Sequence, residues 1–161
     1  MNNTKLKYIL FILIFLFAFK SLSFSKINSK IVFKINDEIV TNIDLDNEKK
    51  FLLFLNPKLN NLSKKQIQKI SRDSFTNRMI KETELKKYFD LNKKNVGKKY
   101  VERFISNIGH NNIETLKNKL GEFNLKYSIF EKNFLIDNLW KEYIFNRFKS
   151  KVKIDVNKLK K

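Results

Sequence analysis

A short stretch that begins at Ile31 has a large apolar residue at every second position, with Val32 and Lys34 between them. Ile31, Phe33 and Ile35 have the two-residue period of a β-strand, and Asn36 and Asp37 after them are typical turn residues. A second short stretch follows this pair directly and consists of Glu38, Ile39 and Val40. The pattern predicts a short β-hairpin at the start of the folded region.

Two capping patterns predict where the first two helices begin. Thr41 is followed three residues later by Asp44, and Ser63 is followed three residues later by Gln66, so each pair can form a reciprocal capping box. The first helix should end before Pro57, because proline disfavours a helical conformation in the preceding residue. The second should be the longest helix, over residues 63–89, where apolar residues cover about half of a helical wheel.

Three more helices and a strand complete the prediction. An i, i+3, i+4, i+7 apolar repeat predicts a helix over residues 98–108. Asn112 is expected to cap a short helix that ends near Gly121, and the last helix should cover residues 127–148. Residues 152–154 have the pattern of a closing strand that could pair with the hairpin. The predicted fold class is mainly α, a compact multi-helix domain with a short N-terminal β-hairpin and a C-terminal strand.

The last predicted helix has more apolar surface than one core-facing stripe requires. One arc of its wheel consists of Ile129, Ile136, Leu139, Trp140, Tyr143 and Ile144. The arc beside it consists of Tyr127, Phe130, Phe134, Phe145 and Phe148. We interpret most of these residues as packed between other elements; the alternative is that the second arc is an exposed groove for a partner.

The first 25 residues have the features of a secretory signal peptide. Lys5 and Lys7 precede an uninterrupted apolar run over residues 8–19, and small residues at 23 and 25 suit signal peptidase. We therefore expect a signal peptide over residues 1–25, a single domain over residues 26–161, and a periplasmic location. The alternative is an inner-membrane anchor over residues 8–19, but this run is short for a membrane span and Lys20 ends it.

The composition favours a stable helical domain with a strongly positive surface. The chain has no cysteine, only one proline and three glycines, and a formal net charge of +18. Its basic residues are almost all lysine, whereas arginine is the side chain suited to bidentate phosphate recognition, so we expect no nucleic-acid partner. Compositional drift toward an AT-rich coding sequence explains the lysine excess better than a nucleic-acid site does. The charge should still attract acidic unfolded chains and anionic lipid headgroups.

The sequence offers little support for catalysis. The only histidine, His110, lies in a predicted turn without a second histidine or any cysteine that could share a zinc ion. No glycine-rich phosphate loop, G-x-S-x-G motif or C-x-x-C pair is present. A hydrolase with two carboxylates assembled in space remains an alternative. The prediction is a protein that is not an enzyme and has no cofactor and no metal.

Four segments, at residues 31–45, 78–91, 116–140 and 150–155, line up in order and spacing with one family. They read IVFKINDEIVTNIDL, RMIKETELKKYFDL, LKNKLGEFNLKYSIFEKNFLIDNLW and SKVKID. The chain resembles the N-terminal chaperone domain of the SurA-type periplasmic foldases, the parvulin-linked chaperones that escort outer-membrane proteins. Only seven residues follow Ile154, where the family normally continues into isomerase domains, so we expect no prolyl isomerase activity.

The resemblance implies an ATP-independent holding chaperone that binds extended, aromatic-rich segments of unfolded outer-membrane proteins. The predicted peptide-binding residues are those of the second arc: Tyr127, Phe130, Phe134, Phe145 and Phe148. An alternative function is that of a periplasmic docking subunit that binds one folded partner, such as an assembly factor, or the anionic membrane surface. A further alternative is a gene fragment without a role.

Overall fold

A β-hairpin leads into five α-helices in the part of the chain that the structure describes. The structure is a computed structural model and describes residues 28–35, 37–93, 96–107 and 112–151. The strands are β1 (Ile31–Ile35) and β2 (Glu38–Thr41). The helices are α1 (Asn42–Leu55), α2 (Lys64–Leu85), α3 (Val96–Asn107), α4 (Ile113–Glu122) and α5 (Tyr127–Phe148), with a 3₁₀ helix (Pro57–Asn61) between α1 and α2. The prediction of a mainly α domain with an N-terminal hairpin is confirmed.

Local sequence signals set most of the helix ends. Both capping boxes form: the Thr41 hydroxyl accepts from the Asp44 amide, and the Ser63 hydroxyl accepts from the Gln66 amide. The Asn112 side chain caps α4 by accepting from the Thr115 amide at 2.9 Å. Because these bonds join residues three positions apart, the sequence suffices to predict them.

The end of α4 uses a residue other than the predicted glycine. Asn124, with a φ of 50°, adopts the left-handed conformation, whereas Gly121 lies inside the helix. The Leu125 amide donates to the Leu120 carbonyl at 3.0 Å, and the Asn124 amide donates to the Gly121 carbonyl at 2.9 Å. This is a Schellman motif with asparagine in the glycine position, and it directs Leu125 into the core.

The hairpin is antiparallel, with Ile35 opposite Glu38 and Phe33 opposite Val40, and its register shifts between Ile31 and Phe33. It is joined to α1 by the Asn42 amide, which donates to the Lys30 carbonyl at 2.9 Å. The predicted strand at residues 152–154 and the predicted turn at His110 lie outside the described residues.

Two apolar clusters form the core, and α5 contributes to both. One cluster joins α1, α3 and α4 to the first part of α5 through Phe51, Val101, Leu116 and Phe130. The other joins α2 and α3 to the middle of α5 through Leu85, Tyr100 and Ile136, among others. The prediction that most of the last helix is packed between other elements is confirmed.

The glycines at 97 and 121 give a matched pair of stability predictions. A Cβ at Gly121 would meet open space, so Gly121→Ala should raise the free energy of unfolding by up to about 1 kcal/mol through helix propensity. A Cβ at Gly97 would lie 2.9 Å from the Cγ of Glu131 on α5, so Gly97→Ala should lower it by about 1–3 kcal/mol. Urea denaturation of both variants tests this; equal shifts would contradict the close approach of α3 to α5.

Candidate functional site

The five aromatic residues of the second arc do not share one surface. Phe130 is completely buried, and Tyr127 and Phe134 are half-buried against the same core cluster. Phe145 and Phe148, near the end of the helix, are 65% and 40% exposed. The five predicted peptide-binding residues therefore lie in different environments, because other helices cover the first part of α5 but not its last turns. Phe130 offers no surface to a peptide in this conformation.

The end of α5 forms one wall of an open groove with a volume of about 740 Å³. The other walls are the last turns of α2 and the tip of the hairpin. We call it the aromatic groove and define it by its apolar lining: Ile35, Met79, Ile80, Trp140, Tyr143, Ile144 and Phe148. Three of these residues, at 140, 143 and 144, belong to the first arc of the helical wheel, and Phe148 belongs to the second. Ile80 is 56% exposed, so the groove presents apolar surface to solvent.

A cluster of aromatic rings borders the aromatic groove where α2 ends. Tyr143 stacks on Tyr88 with ring centroids 5.2 Å apart, and it meets Phe89 edge to face at 6.2 Å. The Trp140 ring is tilted against the Tyr143 ring, with centroids 5.6 Å apart. Tyr88 and Phe89 follow the last residue of α2, where the sequence predicted a continuous helix to residue 89. The earlier end of the helix lets both rings fold toward α5.

Arg147 organises the polar rim of this cluster. Its guanidinium donates hydrogen bonds to the hydroxyls of Tyr88 and Tyr143 and lies 5.6 Å from the centroid of the Tyr143 ring. Hydrogen bonding from Arg147 lowers the pKa of Tyr88. Across the groove, Glu84 pairs with Lys87 at 2.6 Å, and this bond lowers the pKa of Glu84. Charged groups thus accompany a lining of aromatic rings, as in many ligand-binding pockets.

A buried ionic network, absent from the sequence prediction, joins α1, α2 and α5 beside the aromatic groove. Arg78 of α2 donates to Glu48 of α1 and, at 2.8 Å, to Asp137 of α5. Ser74 donates to Glu48 at 2.6 Å, and Lys81 reaches Asp137 at 2.9 Å. The side chains of Glu48 and Arg78 are 0% and 6% exposed.

The pKa values of the two carboxylates in this network are shifted in opposite directions. Burial raises the pKa of Glu48 and outweighs the lowering by Arg78 and Ser74. Burial also acts to raise the pKa of Asp137, but its attraction to Arg78 and its bonds to Arg78 and Lys81 win, so that pKa is lowered. The guanidinium of Arg78 also lies 4.6 Å from the centroid of the Phe51 ring. The network therefore fixes the positions of three helices, and its only sequence signal was an arginine in a lysine-rich chain.

No group of three or more histidine, cysteine, aspartate or glutamate side chains in the described ranges could hold a metal ion. None of the helices in those ranges is both long and apolar enough to cross a membrane.

Comparisons with known proteins give no relative for this chain. No protein-family model matches it, and neither the curated proteins nor the solved structures give a significant match. The functional argument therefore depends on the geometry of the chain itself.

Proposed function

We propose that the protein is an ATP-independent periplasmic holding chaperone that binds extended, aromatic-rich segments of unfolded outer-membrane proteins. The observation that carries the proposal is the aromatic groove, an open apolar channel of about 740 Å³ on a highly charged protein. Exposed contiguous apolar surface of this kind usually marks a binding site. The mixed lining of rings and aliphatic side chains suits many different apolar segments rather than one exact ligand.

The mechanism is mass action, without any bond made or broken. Reversible burial of a client's apolar side chains in the groove lowers the free concentration of aggregating chain. The lysine-rich surface adds long-range attraction for acidic chains and speeds encounter. The signal-peptide pattern, the helical domain with its N-terminal hairpin and the resemblance to the SurA-type chaperone domain all support this proposal.

A second candidate is a docking subunit that binds one folded partner. Its support is the hairpin, whose outward side chains Ile31 and Ile39 are 64% and 50% exposed. A two-stranded sheet gains stability from a third strand, which a partner could supply. Breadth of binding separates the candidates, since a holding chaperone captures many unfolded chains, whereas a docking subunit binds one folded protein in a saturable manner.

The test of the chaperone proposal is suppression of aggregation of an unfolded outer-membrane β-barrel protein, followed by light scattering at near-physiological salt. A lysine-rich helical protein is the control for charge. Suppression by this protein but not by the control supports the proposal; equal suppression would reduce the activity to charge. No suppression would favour the docking subunit.

Two exposed residues of the groove allow a sharper prediction. The double variant Ile80→Ser with Phe148→Ser should weaken client binding about tenfold, because two partly exposed apolar contacts are lost. The matched control is Ile70→Ser with Phe145→Ser, which changes exposed residues on the same two helices outside the groove lining. Thermal unfolding of all variants should stay near that of the parent protein. Equal loss of suppression in both double variants would contradict the assignment of the groove.

A further inference from the structure

Three cavities follow one another along α2 on the side next to the hairpin. The first has a volume of about 820 Å³, the second about 610 Å³, and the third is the aromatic groove. Arg72 lines both the first and the second, and Ile35 lines both the second and the third. The α2 residues that line them include positions 69, 72, 76, 80 and 83, a spacing that places them on one helix face.

The first cavity is strongly basic, and we call it the basic groove. Its charged lining residues are Lys49, Lys50, Lys64, Lys69, Arg72 and Asp46. Asp46 pairs with Lys50 at 2.7 Å. Within the described part of the chain, Lys49, Lys64 and Lys69 have no carboxylate within salt-bridge distance. The Arg72 guanidinium lies on the Phe33 ring, 4.7 Å from its centroid. Four positive charges thus face this cavity without a neutralising partner among those residues.

The basic groove also has an apolar floor. Val32 of the hairpin, Ile43 of α1 and Ile67 of α2 line it. A ligand that fits must combine negative charge with apolar contact. The charged lining of the aromatic groove is slightly acidic instead. It consists of Asp37, Glu38, Glu84, Lys87 and Arg147.

The shape favours an extended polypeptide over a lipid surface. The first cavity lies between α1 and α2 with Val32 at its edge, the second lies between the hairpin and α2, and the third also reaches α5. A flat layer of headgroups cannot follow this path along one helix. A single extended chain can, because its side chains enter successive recesses while its backbone runs along the helix. The charges then fix its polarity: acidic residues at the basic groove and aromatic residues at the aromatic groove.

We propose that the two grooves bind the two ends of one extended client segment, with its acidic residues roughly seven positions from its aromatic residues. The α2 residues that line the basic groove are centred near position 68. Those of α2 and the turn after it that line the aromatic groove are centred near position 83. Fifteen helical residues rise roughly 22 Å, which roughly seven residues of extended chain span. This inference rests on the proposed function and names its substrate class.

Fluorescence anisotropy with synthetic labelled peptides tests the inference. The first probe carries two phenylalanines, a Gly-Ser spacer of about seven residues and three glutamates. The second replaces the glutamates by glutamine, and the third shortens the spacer to two residues. At low ionic strength the first probe should bind about tenfold more tightly than the second, and this preference should decline with added salt. The third probe should also bind more weakly than the first, because its two ends cannot reach both grooves.

Variants of equal charge locate the effect. The triple variant Lys49→Gln, Lys64→Gln, Lys69→Gln should abolish the preference for the acidic probe and keep the affinity for the glutamine probe. The control triple variant, with Lys99, Lys119 and Lys126 changed to glutamine, removes the same charge from exposed positions elsewhere and should keep the preference. Equal losses in both triple variants would overturn the inference and leave only net charge.

The remaining outcomes separate this inference from the function beneath it. Binding of the first and second probes with equal affinity overturns the inference but leaves the chaperone proposal standing. Loss of binding to anionic phospholipid vesicles in the Lys49, Lys64, Lys69 variant, without any preference for the acidic probe, would assign the basic groove to lipid and overturn the inference. Failure of every probe to bind would overturn both proposals.

Discussion

Replacing Arg78 by Met is expected to lower the free energy of unfolding by about 3–5 kcal/mol at pH 7. The substitution leaves the buried carboxylate of Glu48 without its cationic partner. Typical domains of this size are stable by only about 5–15 kcal/mol, so the loss is a large fraction of the total. Urea denaturation followed by circular dichroism measures it.

A second substitution distinguishes an unpaired charge from lost packing. The double variant Glu48→Met with Arg78→Met removes both charges, and Asp137 still has Lys81 at 2.9 Å. Buried ion pairs replaced by apolar side chains of similar size are often neutral in stability, so the double variant should recover most of the loss. A double variant as unstable as Arg78→Met would contradict this explanation and indicate that the arginine acts through its packing on Phe51.

The pH dependence of the loss follows from the pKa of Glu48. Its pKa in the folded protein is raised above the ordinary value of 4.5, and removal of Arg78 raises it further. The folded state then binds more protons than the unfolded state above pH 4.5, so the stability of the Arg78→Met variant falls as pH rises through this window. The difference from the parent protein should therefore shrink as pH approaches 4.5.

Asp137 makes the stability of the parent protein depend on pH in the opposite direction. Its pKa is lowered from 3.8, so its stabilising contribution is complete well above that value and is lost as pH falls through the lowered pKa.

The Glu48 argument has its own test. A difference in stability between the parent protein and Arg78→Met that stays constant from pH 4.5 to neutrality would contradict the burial of Glu48 as a charged group.

Replacing Phe130 by Ala is expected to cost about 3–5 kcal/mol of stability. Phe130 has no exposed surface and packs against the rings of Phe54, Phe51 and Phe104, with centroids 5.3, 5.8 and 5.8 Å away. A cavity would open among side chains from α1, α3 and α5. Urea denaturation measures the loss, and Phe145→Ala, on the same helix but 65% exposed, should leave the stability near that of the parent protein. Similar effects in both variants would contradict the assignment of Phe130 to the core.

The Phe130 result also bears on how chaperone assays are interpreted. A Phe130 variant is destabilised through the core, so its failure to suppress aggregation would carry no information about client contacts. Ile80 and Phe148 are better probes, because both line the aromatic groove and are 56% and 40% exposed. Substitution of Phe130 should therefore lower stability, whereas substitution of Ile80 and Phe148 should lower client binding.

Sequence reasoning was reliable where a structure depends on neighbours along the chain. The capping boxes at Thr41 and Ser63, the cap at Asn112 and the ends of α5 were all predicted correctly. Each depends on hydrogen bonds or periodicity within a few residues. The end of α2 was less predictable, because the apolar pattern continues through Tyr88 and Phe89 although the helix ends at Leu85. Their stacking on Tyr143 of α5 is a contact that helical periodicity does not reveal.

By itself, the sequence determined the helical class, the hairpin and most helix boundaries, since these follow from local bonds and apolar periodicity. Only the tertiary structure decided which aromatic residues are buried. A helical wheel gives the direction of a side chain but not which neighbours cover each turn. Phe130 and Phe148 therefore lie in one arc, although Phe130 is completely buried and Phe148 is partly exposed. The same holds for Arg78, whose carboxylate partners are 30 and 59 residues away in sequence and become partners only when three helices pack.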